Sequence, residues 1–149
     1  LVSTALGVAA SGGRNGPAEW GERQPVVALI GDLSFLHDFG AVAWNAQRGI
    51  DLTIVVVSNG GGEIFSLLPQ RSLPEHRDLF VTPHGADIGA LSRAAGASHT
   101  LVERASELEQ ALASEMAGRG LRVVEVTVNP ERSLALRAAL RESIASALV

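Results

Sequence analysis

The chain has 149 residues, 46% apolar and 19% charged, a balance that fits one globular domain with a single core and excludes a chain too polar to fold. The formal charge is −4 and all twelve basic residues are arginines, scattered singly, so no basic stripe exists to follow a nucleic-acid backbone. The lack of cysteine removes disulfides, thiolate metal sites and cysteine nucleophiles and agrees with a cytoplasmic location, while the lack of lysine removes a Walker-type phosphate loop and any Schiff-base mechanism.

Leu1 to Ala10 is apolar, rich in Ala and Gly and without a basic flank; it is too short to cross a bilayer and reads as a small-residue helix, not a signal peptide. Because the chain starts inside this helix and without methionine, the expectation is a fragment of a longer polypeptide, with a further strand before Leu1. Ser11 to Pro25, with Gly12, Gly13, Gly16 and Pro17, reads as an exposed polar loop. Val26 to Ile30 is a continuous apolar run, the pattern of a strand covered on both faces, ending at Gly31-Asp32. A helix over Phe35 to Gln47 follows. Leu52 to Val57 is a β-branched run and a second buried strand, broken at Ser58-Asn59-Gly60-Gly61-Gly62.

Pro69 to Pro83 holds three prolines and no clear periodicity, so it reads as a long surface loop of the length that often carries function. Asp87 can cap a helix to Ala95, and His99 to Val102 is a short strand. Ser106 and Glu109 form a capping-box pattern opening a helix to Ala117, and Leu121 to Val128 is another strand. Asn129-Pro130 gives an N-cap with proline at the first helical position, and Leu134, Leu140, Ile144 and Leu148 predict a packed face up to Val149. Strands alternating with helices predict an α/β fold: a three-layer parallel sheet with helices on both faces and right-handed crossovers.

In an open parallel sheet, ligands bind beyond the carboxyl ends of the strands. Two such ends are unusual here. Gly31-Asp32-Leu33-Ser34 joins a glycine that permits close backbone approach to a carboxylate, N–H groups and a hydroxyl at a helix start. Asn59-Gly60-Gly61-Gly62 joins an amide oxygen to backbone bare enough for its carbonyls to face a ligand. Together they offer hard oxygens to a small cation and N–H donors to phosphate, the combination that suits Mg²⁺ with a diphosphate. The plainer alternative is that Asp32 caps a helix and the glycines make a tight turn.

Asp32 and Asn59 stand twenty-seven positions apart, which resembles the two-part motif of thiamin diphosphate enzymes: a Gly-Asp-Gly-like turn, some twenty-odd residues, then an Asn-bearing turn. The stretches Gly31 to Asp38 and Gly61 to Gln70, with Phe80 to Asp87 and Leu1 to Gly7, narrow the resemblance to 2-succinyl-5-enolpyruvyl-6-hydroxy-3-cyclohexene-1-carboxylate (SEPHCHC) synthases of menaquinone biosynthesis. The likeness covers most of the chain and implies that residues 1–149 are a C-terminal thiamin diphosphate-binding domain. It implies that Asp32, Asn59 and the Gly61 carbonyl hold Mg²⁺ (or Mn²⁺). Gly31, Leu33, Ser34 and Gly62 lie along the cofactor in the same reading, and Ile64 and Phe65 build an apolar wall beside the thiazolium and substrate. For these last two, ordinary core packing is the bland alternative. One departure bears on cation affinity: the family commonly carries two or three polar residues in the second turn, whereas Ser58 and Gly60 flank a single Asn59.

Glu63 is a lone carboxylate beside this turn, and His37, His76, His84 and His99 are too scattered to predict a zinc site. His84 alone falls in a loop placed to cover a pocket. The resemblance further implies 2-oxoglutarate and isochorismate as substrates and a homo-oligomer. The activating glutamate would come from the pyrimidine-binding domain of a partner subunit, so no catalytic acid is expected within this chain. Two other readings stand beside it: another thiamin diphosphate-dependent lyase or decarboxylase of a 2-oxo acid, and a non-catalytic α/β interaction module.

Overall fold

The structure is a computed structural model that describes residues 1–12 and 25–148; most of the glycine-rich loop expected at Ser11 to Pro25 lies outside the described residues. Its elements are α1 (Val2–Gly12), β1 (Val27–Gly31), α2 (Asp32–His37), α3 (Phe39–Asn45), β2 (Leu52–Ser58), α4 (Ile88–Ala94), β3 (Ser98–Val102), α5 (Ala105–Met116), β4 (Leu121–Thr127) and α6 (Pro130–Ala147). The four strands are all parallel, in the order β1-β2-β4-β3. The chain divides into two compact units, Leu1–Ser58 with Ala86–Thr127, and Asn59–Gly85 with Val128–Val149.

The first unit is the sheet and the helices that cover it. Side chains alternate across a strand, so Leu52, Ile54 and Val56 of β2 face one side, where they join Ile30, Leu121 and Val123 under Val2, Leu6, Phe35, Val42 and Ile88 from α1 to α4. Val55 faces the other side, with Val102 and Val124, and packs with Leu108, Ala111 and Leu112 of α5. Helices on both faces of a parallel sheet are the three-layer arrangement the alternation predicts. Each fully buried Val, Ile or Leu contributes about 1.5–3 kcal/mol. The register at the sheet centre is fixed by backbone and carboxylate together: the Leu52 N–H donates to the Gly120 carbonyl (3.0 Å) and the Gly120 N–H to the Asp51 carboxylate (2.6 Å). Buried Asn45 closes the turn before β2, its amide donating to the Ile50 carbonyl (2.9 Å) and its oxygen accepting the Ile50 N–H (3.1 Å).

Four expectations need correction. The apolar run of β1 is not covered on both faces: Ile30 is buried, but Val27 and Leu29 are 42% and 72% exposed. β1 is an edge strand among the described residues, and an apolar run cannot by itself distinguish an edge from a centre. The single helix expected over Phe35 to Gln47 is two helices, the first starting at Asp32, with the break at Asp38. The capping box of α5 sits earlier than Ser106-Glu109: the Glu107 carboxylate accepts from the backbone N–H of Arg104 (3.3 Å) and from its Nε (2.8 Å). Finally, no residue of α6 is buried: of the packed face expected there, Leu134 is half-buried and Leu140, Ile144 and Leu148 are 52–82% exposed. The cap itself is as expected, the Asn129 side-chain oxygen accepting the Arg132 N–H at 2.9 Å.

The break at Asp38 has a physical reason. Its carboxylate turns away from its own helix to the start of α1, accepting the Ser3 N–H (2.8 Å) and the Ser3 hydroxyl (2.8 Å). These bonds, the Ser3 N–H first, hold the Asp38 carboxyl well below the usual carboxylate range. A carboxylate whose folded pKa is depressed adds stability above its unfolded pKa of about 4, and that stability is lost as pH falls through the folded value. Asp38→Ala is therefore expected to cost about 1 kcal/mol at neutral pH, as loss of a helix cap does. In urea titrations the gap between variant and parent should narrow below about pH 4; a gap independent of pH would contradict the capping role.

Candidate functional site

The first cluster of predicted residues lies where β1 ends. Gly31 closes the strand and is the N-cap residue of α2, with no side chain capping the helix. Asp32 follows, 98% buried in the sense that only 2% of its surface is exposed, and its Oδ1 accepts the Leu33 N–H at 2.7 Å, which fixes the carboxylate at the strand tip. A side chain built on Gly31 would meet nothing within 4 Å, so the turn is open on that side. Leu33 and Ser34 are half-buried and, with Leu1 and His37, line a shallow pocket of about 350 Å³. Gly31 pairs in register with Val57 of β2, so the carboxyl ends of β1 and β2 are immediate neighbours, as a ligand site at strand ends requires.

The second cluster belongs to the second unit. The Asn59 side-chain oxygen accepts the Gly61 N–H (3.3 Å), tightening the turn that follows β2, and Gly60 and Gly61 both have positive φ (84° and 157°). Gly61 and Gly62 are buried against residue 81: the Gly62 N–H donates to the Val81 carbonyl at 2.7 Å, and a Cβ on Gly61 would overlap that same oxygen. Glycine at position 61 is thus required by both conformation and space. The 3₁₀ turn Glu63–Leu67 comes next. Ile64 and Phe65 are 70% and 39% exposed, so the reading of these two as ordinary core packing does not hold. Glu63 is engaged locally, accepting the Ser66 hydroxyl at 2.8 Å. Asn59, Glu63, Ile64 and Leu67 line a pocket of about 160 Å³ with Pro130, Ser133, Leu134 and Arg137 of α6.

The stretch expected to be a plain loop, Pro69 to Pro83, contains the 3₁₀ turn Pro69–Ser72 and a wide helical turn, Arg77–Val81, closed by the Thr82 N–H donating five residues back to the Arg77 carbonyl (2.9 Å). Sequence reasoning missed that this turn touches the second cluster. The one signal was its unusual length without periodicity. The histidines are dispersed: His99 pairs with Glu125 (2.9 Å), His76 is buried, His84 is half-buried and His37 is exposed. Among the described residues, no three His, Cys, Asp or Glu side chains gather as a metal site. The first cluster offers one buried carboxylate, and the second, described by itself, offers one side-chain amide and backbone oxygens; each is the kind of hard oxygen donor that Mg²⁺ takes. No helix among the described residues is long and apolar enough to cross a membrane.

The chain is 41% identical over 148 residues to the SEPHCHC synthase of Thermobifida fusca (strain YX), covering 99% of this chain and 25% of that protein. It is 45% identical over 129 residues to the synthase of the same name from Saccharopolyspora erythraea, covering 83% of this chain and 22% of that protein. The chain therefore spans about a quarter of the length of these curated relatives. Among solved structures, the benzoylformate decarboxylase of Polynucleobacter necessarius superposes with a TM-score of 0.71 at 26% identity, over 87% of this chain and 23% of that one. The family model for the C-terminal TPP binding domain of thiamine pyrophosphate enzymes matches residues 2–126, and the chain belongs to that family.

Proposed function

We propose that this chain is the C-terminal cofactor-binding part of a longer SEPHCHC synthase, which decarboxylates 2-oxoglutarate and adds the succinyl semialdehyde unit to isochorismate in menaquinone biosynthesis. The name carried by relatives at 41% and 45% identity supports the activity. The single observation that carries the local chemistry is Asp32, a buried carboxylate held at a strand end whose in-register neighbour leads straight into the Asn59 turn.

In this reading Asp32, Asn59 and the Gly61 carbonyl hold Mg²⁺ (or Mn²⁺), Gly31, Leu33 and Ser34 face the diphosphate, and Gly62 also binds the cofactor. The donor set fits, because Mg²⁺ takes few protein oxygens and keeps phosphate and water for the rest. Thiamin diphosphate, when bound, supplies the carbon chemistry of decarboxylation and C–C bond formation. The chain's own part is to neutralise and anchor the diphosphate, and through Ile64 and Phe65 to keep water from the reacting end. In this reading the activating glutamate comes from the pyrimidine-binding domain of a partner subunit, and the enzyme is a cytoplasmic homo-oligomer. The isolated 149 residues are inactive in this reading.

The test is to supply the full-length protein with thiamin diphosphate, Mg²⁺, 2-oxoglutarate and isochorismate and follow the succinylated cyclohexene product by mass spectrometry. Product that disappears on chelation of the metal is the expected result. The likeness to a benzoylformate decarboxylase favours a second reading, a 2-oxo-acid decarboxylase; metal-dependent aldehyde release with isochorismate left unconsumed would select it. Calorimetry of the full-length protein that gives no Mg²⁺-dependent heat with thiamin diphosphate would leave only an interaction module.

A further inference from the structure

Two consecutive residues of the wide turn Arg77–Val81 reach the two functional parts of the second cluster. The Val81 carbonyl accepts the Gly62 N–H at 2.7 Å and abuts Gly61, the residues of the cation turn. The Phe80 ring meets the Phe65 ring edge-on, with centroids 6.0 Å apart and planes at 60°. On its other side Phe80 is stacked on His76, at 5.9 Å and 14°. His76 is buried and its Nε2 makes no hydrogen bond, so the imidazole serves there as a flat packing surface. The extra residue of the wide turn matters to this arrangement. With Thr82 closing on Arg77 five residues back, the turn presents a ring and a carbonyl from adjacent positions, and Thr82 leaves it in the left-handed conformation (φ 46°). Such wide turns recur at functional sites because they re-aim neighbouring groups.

We propose that Phe80 is a positioning residue, which, backed by His76, sets the orientation of Phe65, while the neighbouring Val81 carbonyl holds the cation turn. The inference rests on the reading of Phe65 as the apolar wall beside the substrates. A ring held edge-on by a second ring gains about 0.5–1.5 kcal/mol over simple burial. Loss of Phe80 therefore loosens Phe65 without touching the ligands of the metal.

In the full-length protein, Phe80→Leu is expected to leave the calorimetric affinity for thiamin diphosphate with Mg²⁺ within about twofold of the parent. It should raise KM for isochorismate by about threefold to tenfold, the range set by that ring contact. It should also divert turnover toward succinic semialdehyde, formed when 2-oxoglutarate loses CO₂ and takes up one proton in place of joining isochorismate. Phe80→Tyr, which keeps the ring, restores the parent values. Phe80→Leu should add little in a Phe65→Leu background, because the effect runs through Phe65. His76→Ala should give a weaker copy of the Phe80→Leu phenotype, and His76→Phe should reverse it. Additive effects of the Phe65 and Phe80 substitutions, or equal loss of cofactor affinity, would overturn the positioning role. A parent protein with no metal-dependent thiamin diphosphate binding would instead overturn the proposed function beneath it.

Discussion

Asp32→Asn is expected to lower the Mg²⁺-dependent affinity of the full-length protein for thiamin diphosphate by at least about a hundredfold. Substitutions that only support a metal ligand cost about ten- to a hundredfold, and Asp32 is proposed as a ligand itself. Asparagine is the informative replacement. It keeps the volume at a position only 2% exposed and keeps an oxygen for the Leu33 N–H, so the fold is spared while the charge is removed. Asp32→Ala also strips the Leu33 N–H of its acceptor and adds a cost of about 1 kcal/mol in stability, as a lost cap does. Calorimetric titrations at several Mg²⁺ concentrations separate the two effects. Parent-like affinity and parent-like metal dependence in Asp32→Asn would remove the cation from this turn.

Gly61→Ala is expected to be the most damaging of the glycine substitutions. The residue sits at φ 157°, and its Cβ would overlap the Val81 carbonyl oxygen, a backbone atom that cannot swing aside. Relief requires moving the turn and breaking the 2.7 Å bond from the Gly62 N–H. Strained backbone and overpacking each cost about 1–3 kcal/mol, so the sum is about 3 kcal/mol or more. Gly60 is the control: its φ of 84° also disfavours alanine, but a Cβ there meets nothing within 4 Å. Gly60→Ala should cost only about 1 kcal/mol. Chemical denaturation of both variants reads the difference directly, and equal midpoints would show that the clash is not what Gly61 avoids.

The parts of the molecule that were legible in the sequence are those where one local pattern has one structural meaning. Leu52 to Val57 is β-branched, uninterrupted and bounded by a turn, and β2 is buried from Leu52 to Val56. Asp87 and Asn129 each stand before a helical pattern and each accepts the N–H three residues on. Illegible were the features that depend on partners distant along the chain. Asp38 lies in a helical pattern, yet Ser3, thirty-five residues earlier, draws its carboxylate away and breaks the helix. Val27 and Leu29 read as core and stand on an open face, because nothing in an apolar run tells which neighbours a strand will have. The same holds for Leu140 and Ile144 of α6. At the site, Asp32 and Asn59 were recognisable from their motifs, whereas Phe80 was not, since its importance comes from the rings on either side of it.

The strand order β1-β2-β4-β3 also governs the timing of assembly. The central ladder joins β2 to β4, and its contacts span about seventy residues, as in the 69-residue separation of Thr53 from Arg122. During synthesis β2 can pair early with β1, but its other edge stays unsatisfied until Thr127 has left the ribosome. Long-range parallel pairing of this kind is slow, since the closure entropy is spent before the contacts form. The run Leu52 to Val57 therefore keeps an unpaired, apolar edge in the nascent chain until β4 is complete, and an interruption of translation between β3 and β4 prolongs that exposure.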